Sequence, residues 1–319
     1  NYLSSCEELM PYHPYVFCLN PKMTANYRKS FIGMNKTDPL DAFIIADFAR
    51  AGRIESDPWR GSQFLALQRL TRHRLHLVEA LTREKTYMVS NIFLKFSELS
   101  VLPKEEQPFC NNYGFTASSV LTEFLSMEDI INASSEKLVA FLGEKSRNRI
   151  ANLDKTADLL QKAARNSYRL DKCLYDPINI SLASSFNCIN AFKQEIKTID
   201  NAIHKTIAGL NPNAYTILTS IDGIGPVFAA GILAEIGDIS AFYSQDALAK
   251  YAGLTWTKSQ SGNFEADESR MTKAGNRYLR YYLGEAANSM KNHVPEYRDF
   301  YNKKYNEVVK ITSEDNTEV

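Results

Sequence analysis

The sequence predicts a mainly α-helical protein with a small α/β part, and three observations predict it. Apolar residues recur at three- and four-residue spacing over two long stretches, Phe64 to Leu99 and from about Phe192 to Leu210. A single β-rich run, Tyr15 to Asn20, stands near the N-terminus. Near the C-terminus two helical stretches flank the segment DGIGP, Asp222 to Pro226.

With 319 residues, the chain is long enough for about two domains at roughly 150 residues each. It is 44% hydrophobic and 23% charged, so it can bury a core without cross-links. Its 37 basic and 37 acidic residues cancel, so any nucleic-acid surface must come from local clustering. Cys6, Cys18, Cys110, Cys173 and Cys188 are scattered and odd in number, with no CxxC pair. That argues against a zinc site or a disulfide framework and fits a reducing cytosol. No apolar run is long enough for a membrane span, and no signal peptide is visible.

Taken in order, YVFCLN over Tyr15 to Asn20 reads as one buried strand, closed by the Asn20-Pro21 turn. A basic connector follows, with Lys22, Arg28 and Lys29. In KTDPLDAFIIADFAR, Asp38 precedes Pro39, a residue favoured at the first helical position. Asp41 stands where a capping box would place an acid, and Leu40, Ile44, Ile45 and Phe48 are expected on one face. The first long stretch carries Val78, Leu81, Met88, Ile92 and Leu99 as an apolar ladder, with Lys85 and Lys95 as polar rungs. The second carries Phe192, Ile196, Ile199, Ile203 and Leu210, and an amphipathic stretch at Leu153 to Ala164 lies between. Two long seams suggest an antiparallel coiled coil or helical bundle, either a packing domain or a dimerisation arm. Helices are expected again at Ala214 to Ile221, Val227 to Ile236 and Asn276 to Asn292, ending in a polar tail.

Three constellations could carry chemistry. Asp38 and Asp41, three apart at a helix start, point to one side and can share a divalent metal; the same pair suits helix capping. The helix–GxG–helix text around Gly223 and Gly225 matches a helix-hairpin-helix, whose backbone N–H groups hold a phosphate, or an ordinary turn between helices. In TKSQSGNFEADESRMTKAGNRYLRYY, Ser259 and Ser261 lie in a polar loop, and Arg270, Lys273, Arg277 and Arg280 interleave with tyrosines. Basic residues beside aromatics suit a nucleic-acid backbone, although such faces are also found solvated and such tyrosines in cores. His13, His73, His76, His204 and His293 form no metal-binding pattern, and there is no Walker loop, dinucleotide fingerprint or GxSxG elbow.

Together KTDPLDAFIIADFAR, SIDGIGPVFAAGILAEIGDISAF and SGNFEADESRMTKAGNRYLR resemble the insertion-sequence one-ten family of transposases, relatives of the Piv and MooV invertases. The resemblance covers nearly the whole chain. It implies a RuvC-like nuclease domain with four acids in the order Asp, Glu, Asp, Asp, of which Asp38 and Asp41 match the third and fourth. The first two have no counterpart, so an N-terminally truncated copy is expected. The resemblance also implies a serine nucleophile forming a covalent phosphoserine link to DNA, with Ser261 as the best match and Ser259 as the alternative.

The expected domains are an incomplete nuclease remnant over 1–58, a helical coiled-coil region over 59–210, a C-terminal transposase domain with helix-hairpin-helix and serine loop over 211–300, and a tail over 301–319. The resemblance implies Mg²⁺, which Asp38 and Asp41 would hold. Gly223, Gly225, Arg270, Lys273, Asn276, Arg277 and Arg280 would hold nucleic acid. The expected partners are DNA, a structured non-coding guide RNA that the resemblance implies, and further copies of the chain as a dimer or tetramer, in the bacterial cytoplasm at the nucleoid. The competing expectation is a non-catalytic remnant that binds nucleic acid without cutting it.

Overall fold

The computed structural model describes residues 3, 6–17, 19, 21–31, 33, 35–54, 62–237, 239–256, 260–261, 264–265 and 271–315. The protein is mainly helical, and its only strands among the described residues are two of two residues each. It divides into two compact units, Arg72–Ala202 and the remainder, Asn1–Thr71 with Ile203–Val319.

At the start of the remainder, α1 (Pro21–Arg28) packs on α2 (Asp38–Arg50). Ile44 and Phe48, one helical turn apart, are buried, and the Tyr27 ring stands edge-on to Phe48 at 5.2 Å. Ile45 is instead exposed: one residue on from Ile44, it is rotated about 100° around the helix, off the buried stripe. Of the strand expected over Tyr15 to Asn20, the described residues show a single β-bridge position at Phe17, with Tyr15 and Phe17 exposed rather than buried, and Cys18 and Asn20 lie outside the described residues.

The helix α3 (Ser62–Lys95) begins before the boundary and continues into the second unit. There follow α4 (Glu98–Val101), α5 (Phe115–Glu123), α6 (Met127–Ile131), α7 (Ser135–Ser146), α8 (Leu153–Asn166) and α9 (Tyr175–Ala208). In this unit α3 and α9 run antiparallel. The Arg74 Nε donates to Asp200 Oδ1 at 2.5 Å, and 21 residues further on Lys95 donates to Asn179, 21 residues before Asp200. Equal spans of opposite sense fix an antiparallel alignment over about 30 Å. Met88 and Ile92 of α3 and Leu182, Phe186 and Ile189 of α9 share one core with Leu121, Leu142 and Leu160 from the short helices. The second long helix starts at Tyr175, well before the expected Phe192, because Pro177 sits in its first turn, where the missing N–H costs nothing.

Lys95 is the exception to the polar-rung expectation. It is 4% exposed, and its ammonium donates to the carbonyls of Leu121 and Phe124 and to Asn179. Burial lowers its pKa to about 8.

The C-terminal part of the unit formed by Asn1–Thr71 and Ile203–Val319 holds α10 (Pro212–Thr219), α11 (Pro226–Ile236), α12 (Gln245–Ala252), a hairpin of β1 (Gln260–Ser261) and β2 (Phe264–Glu265), α13 (Arg277–His293) and α14 (Pro295–Asp315). Its centre is the pair α11 and α13. A Cβ on Gly231 would fall 2.5 Å from the Tyr282 ring, so the glycine lets that ring lie flat on α11. Tyr282 is fully buried, and its hydroxyl donates to the Thr71 carbonyl at 2.7 Å.

Candidate catalytic and nucleic-acid-binding sites

Asp38 and Asp41 occupy the first turn of α2, but neither serves the cap. Thr37 is the N-cap residue, with extended backbone and no side-chain cap bond. The expected capping box is therefore absent, since the helix starts one residue earlier than the Asp-Pro reading placed it. Asp38 is exposed and has no hydrogen-bond or ion-pair partner among the described residues. Asp41 pairs with Arg28 of α1 at 3.0 Å, both side chains partly exposed. Behind them the Arg50 guanidinium, and then the Tyr27 hydroxyl, hold the Asp47 carboxyl below its usual range. Among the described residues no group of three or more His, Cys, Asp or Glu side chains gathers as a metal cluster.

The two glycines of the hairpin segment differ. Gly223 has φ +94°, and a Cβ there would lie 2.7 Å from Met290 Cα and 2.8 Å from Met290 N. Its close approach is thus to the backbone of α13. Gly225 is the N-cap of α11, and a Cβ there would meet nothing within 4 Å. Met290 lies 13 residues along α13 from Arg277, about 20 Å. The structure therefore sets Gly223 and the basic residues at opposite ends of one helix.

Lys273, Asn276, Arg277 and Arg280 come together where α12 ends and α13 begins. Gly253 ends α12 in the left-handed region, and a Cβ on Gly275 would lie 2.5 Å from both Gly253 N and Tyr251 O. This contact of backbone on backbone is closed by two side chains. Arg280 is half-buried and donates to the carbonyls of Ala252 (2.8 Å) and Lys273 (3.2 Å). Asn276 caps α13 by accepting from the Tyr278 and Leu279 N–H groups, and its amide donates to Glu235 at 2.7 Å. Glu235 is 4% exposed and also accepts from Gln68 at 3.2 Å. Sequence reasoning missed Glu235, Gly253 and Gly275. The one readable signal was Gly253, a glycine directly after a helix.

Lys273 and Arg277 remain turned outward. Both are exposed, and Lys273 adopts φ +48°, uncommon for a non-glycine residue. Arg277 lies 5.2 Å from the Tyr278 ring centroid. Ser261 ends β1 and pairs with Phe264 of β2. Behind it an isolated bridge joins Trp256 to Met271, and the Thr272 N–H donates to the Thr255 carbonyl at 2.8 Å. Ser259 and Arg270 lie outside the described residues. No helix among the described residues is long and apolar enough to cross a membrane.

Two family models match the chain. One, described as the transposase IS116/IS110/IS902 family, covers residues 215–302 and so includes Gly223, Ser261 and the α12–α13 junction. The other, a DEDD transposase model, covers residues 10–94, including Asp38 and Asp41. The chain is 26% identical over 286 residues to the 44.8 kDa protein of insertion element IS116 from Streptomyces clavuligerus, covering 87% of this chain and 67% of that protein. It is 30% identical over 282 residues to the 42 kDa protein of insertion element IS900 from Mycobacterium paratuberculosis, with the same coverage. It is 25% identical over 197 residues to the transposase of insertion sequence element IS1111A from Coxiella burnetii, covering 57% of this chain and 54% of that protein. The chain thus spans about two thirds of the length of the first two relatives. With the acid pair of α2 under one transposase model and the serine hairpin and α12–α13 junction under the other, the chain belongs to the IS110/IS116 family of insertion-sequence transposases.

Proposed function

We propose that the chain cuts and joins DNA through Ser261, assisted by a carboxylate-held Mg²⁺ centre to which Asp38 and Asp41 contribute. The observation that carries this reading is that neither carboxylate is used in capping α2, so Asp38 is left with solvent and Asp41 with the Arg28 ion pair alone among the described residues. Two carboxylates three residues apart fit Mg²⁺, which binds through one or two such groups and fills its shell with water and phosphate oxygens. Bound there, the ion would favour ionisation of the attacking hydroxyl and offset charge on the phosphate. Arg28, now on Asp41, is placed to pair with a DNA phosphate when the carboxylate turns to the metal.

In the proposed step Ser261 Oγ loses its proton and bonds to a backbone phosphorus. The bond from that phosphorus to the departing sugar oxygen breaks, and the oxygen takes up a proton. Ser261 ends β1 of the hairpin, and Ser259, the alternative nucleophile, lies outside the described residues. Lys273 and Arg277, with Arg270, hold the DNA backbone, while Gly225 offers the N-terminus of α11 to a phosphate. Gly223, Asn276 and Arg280 act by shaping these surfaces. Target choice is delegated to a structured non-coding RNA that pairs with DNA, and the helical middle assembles dimers or tetramers. A test is strand cleavage of supercoiled DNA by the full chain with Mg²⁺. Cleavage lost in both Asp38→Ala and Asp41→Ala supports the metal assignment, and cleavage that survives the double substitution refutes it.

A second reading, a non-catalytic nucleic-acid binder, is favoured by the described residues gathering two acids at α2 and no larger ligand cluster. Salt-dependent binding with no strand cleavage by the wild-type chain would support it.

A further inference from the structure

A second site lies in the Arg72–Ala202 unit, which holds none of the residues assigned above. A cleft of about 290 Å³ is lined by Val89 and Ile92 of α3, Leu99 and Ser100 of α4, and the segment carrying Gln107, Cys110, Asn111, Asn112 and Tyr113. None of these side chains is charged. Asn111 uses its Oδ1 to accept the Tyr113 N–H (2.9 Å), and Gln107 uses its Nε2 on the Leu102 carbonyl (2.9 Å). That leaves the Asn111 amide as a donor and Gln107 Oε1 as an acceptor beside an aromatic wall.

Two lysines from different helices converge on that wall. The Lys85 ammonium lies 5.4 Å from the Tyr113 ring centroid, and Lys193 of α9 donates to the Tyr113 carbonyl at 3.4 Å. The Tyr113 hydroxyl in turn donates to the Lys85 carbonyl at 3.2 Å. Neither lysine has an acidic partner among the described residues, and burial, followed by the Lys85 charge, lowers the pKa of Lys193. Two unpaired cations held side by side favour an anion between them.

We propose that this cleft takes one nucleotide of a single-stranded nucleic acid, its base against Tyr113 and its phosphate on Lys85 and Lys193. The reasons are size, chemistry and charge. The volume sits at the lower end of small-molecule sites, roughly 300 Å³, which suits one base rather than a helix. A base offers a π-face to Tyr113 and donor and acceptor edges to Gln107 and Asn111. Its phosphate supplies the missing negative charge. The site needs neither Ser261 nor the α2 carboxylates, so it stands or falls apart from the catalytic reading.

Cys110, which lines the cleft and is exposed, reports occupancy, and exposed Cys173 reports the background. The full chain is alkylated with and without a short single-stranded oligonucleotide, and each thiol is quantified by mass spectrometry. The expected result is slower alkylation of Cys110 alone. In the double variant Lys85→Gln, Lys193→Gln the strand concentration needed for protection rises roughly tenfold. An unchanged circular dichroism spectrum and Cys173 rate show that the variant is folded. Alkylation of Cys110 at the free rate in millimolar strand, or full protection in the double variant, overturns the proposal. Equal protection by free nucleoside monophosphates at the same nucleotide concentration also overturns it, by assigning the cleft to free nucleotides.

Discussion

The amide of Asn276 donates to the buried carboxylate of Glu235 at 2.7 Å while its carbonyl oxygen caps α13. One side chain thereby ties the α12–α13 junction to α11. Asn276→Ala removes the cap, worth about 1 kcal/mol, and a donor to a buried acid, worth about 1–3 kcal/mol. Urea denaturation should show a loss near the sum. Asn276→Asp keeps a capping oxygen but sets a second carboxylate against Glu235, so it should be at least as destabilising.

Arg280 and Arg277, three residues apart on one helix, should give opposite phenotypes. Arg280→Gln strips donors from the Ala252 and Lys273 carbonyls and should cost about 1–3 kcal/mol in denaturation. Arg277→Gln, at an exposed side chain, should cost less stability than Arg280→Gln and weaken DNA binding, with a salt slope lower by about 1.

Lys273 offers a sharper separation of fold from function. Its φ of +48° is one that glycine adopts without strain. Lys273→Gly should hold or raise stability by up to about 1 kcal/mol, yet weaken nucleic-acid binding. Thermal denaturation and binding isotherms of the one variant read both effects.

Lys95 predicts a pH dependence. Its folded pKa is lowered to about 8 from an ordinary 10.5, so between those values the unfolded chain holds a proton that the folded chain has released. Stability contributed at this position should therefore rise with pH from about 8 to 10.5, by about 3 kcal/mol at most. The difference between wild type and Lys95→Met, followed by denaturation across that window, isolates the effect from other titrating groups.

The sequence made the helical elements legible where periodicity and caps agree. The stretch expected over Leu153 to Ala164 is α8, Leu153–Asn166, with Asn152 as its cap, and the last expected helix is α13. Periodicity misled where a side chain's partner is distant in sequence. Lys95 reads as a solvated rung, and only the fold shows carbonyls from α5 and its C-terminal cap gathered around its ammonium. The basic run from Lys273 to Arg280 has the same limit, because a guanidinium reads alike whether it meets water, phosphate or the chain's own carbonyls. The close approach of Gly275 to Gly253 was equally hidden, since no local pattern tells which backbone a glycine will touch. For Asp38 and Asp41 the structure added a negative fact: the capping role that competes with a metal role is not taken up.

In the proposed reaction Ser261 becomes covalently joined to DNA. The most direct measurement traps the full chain with labelled DNA and Mg²⁺ under denaturing conditions and locates the modified residue by mass spectrometry. A nucleotide adduct is expected on Ser261, absent in Ser261→Ala and retained in Ser259→Ala. An adduct that persists in Ser261→Ala, or strand cleavage by the wild-type chain with no protein-linked nucleotide, would contradict it.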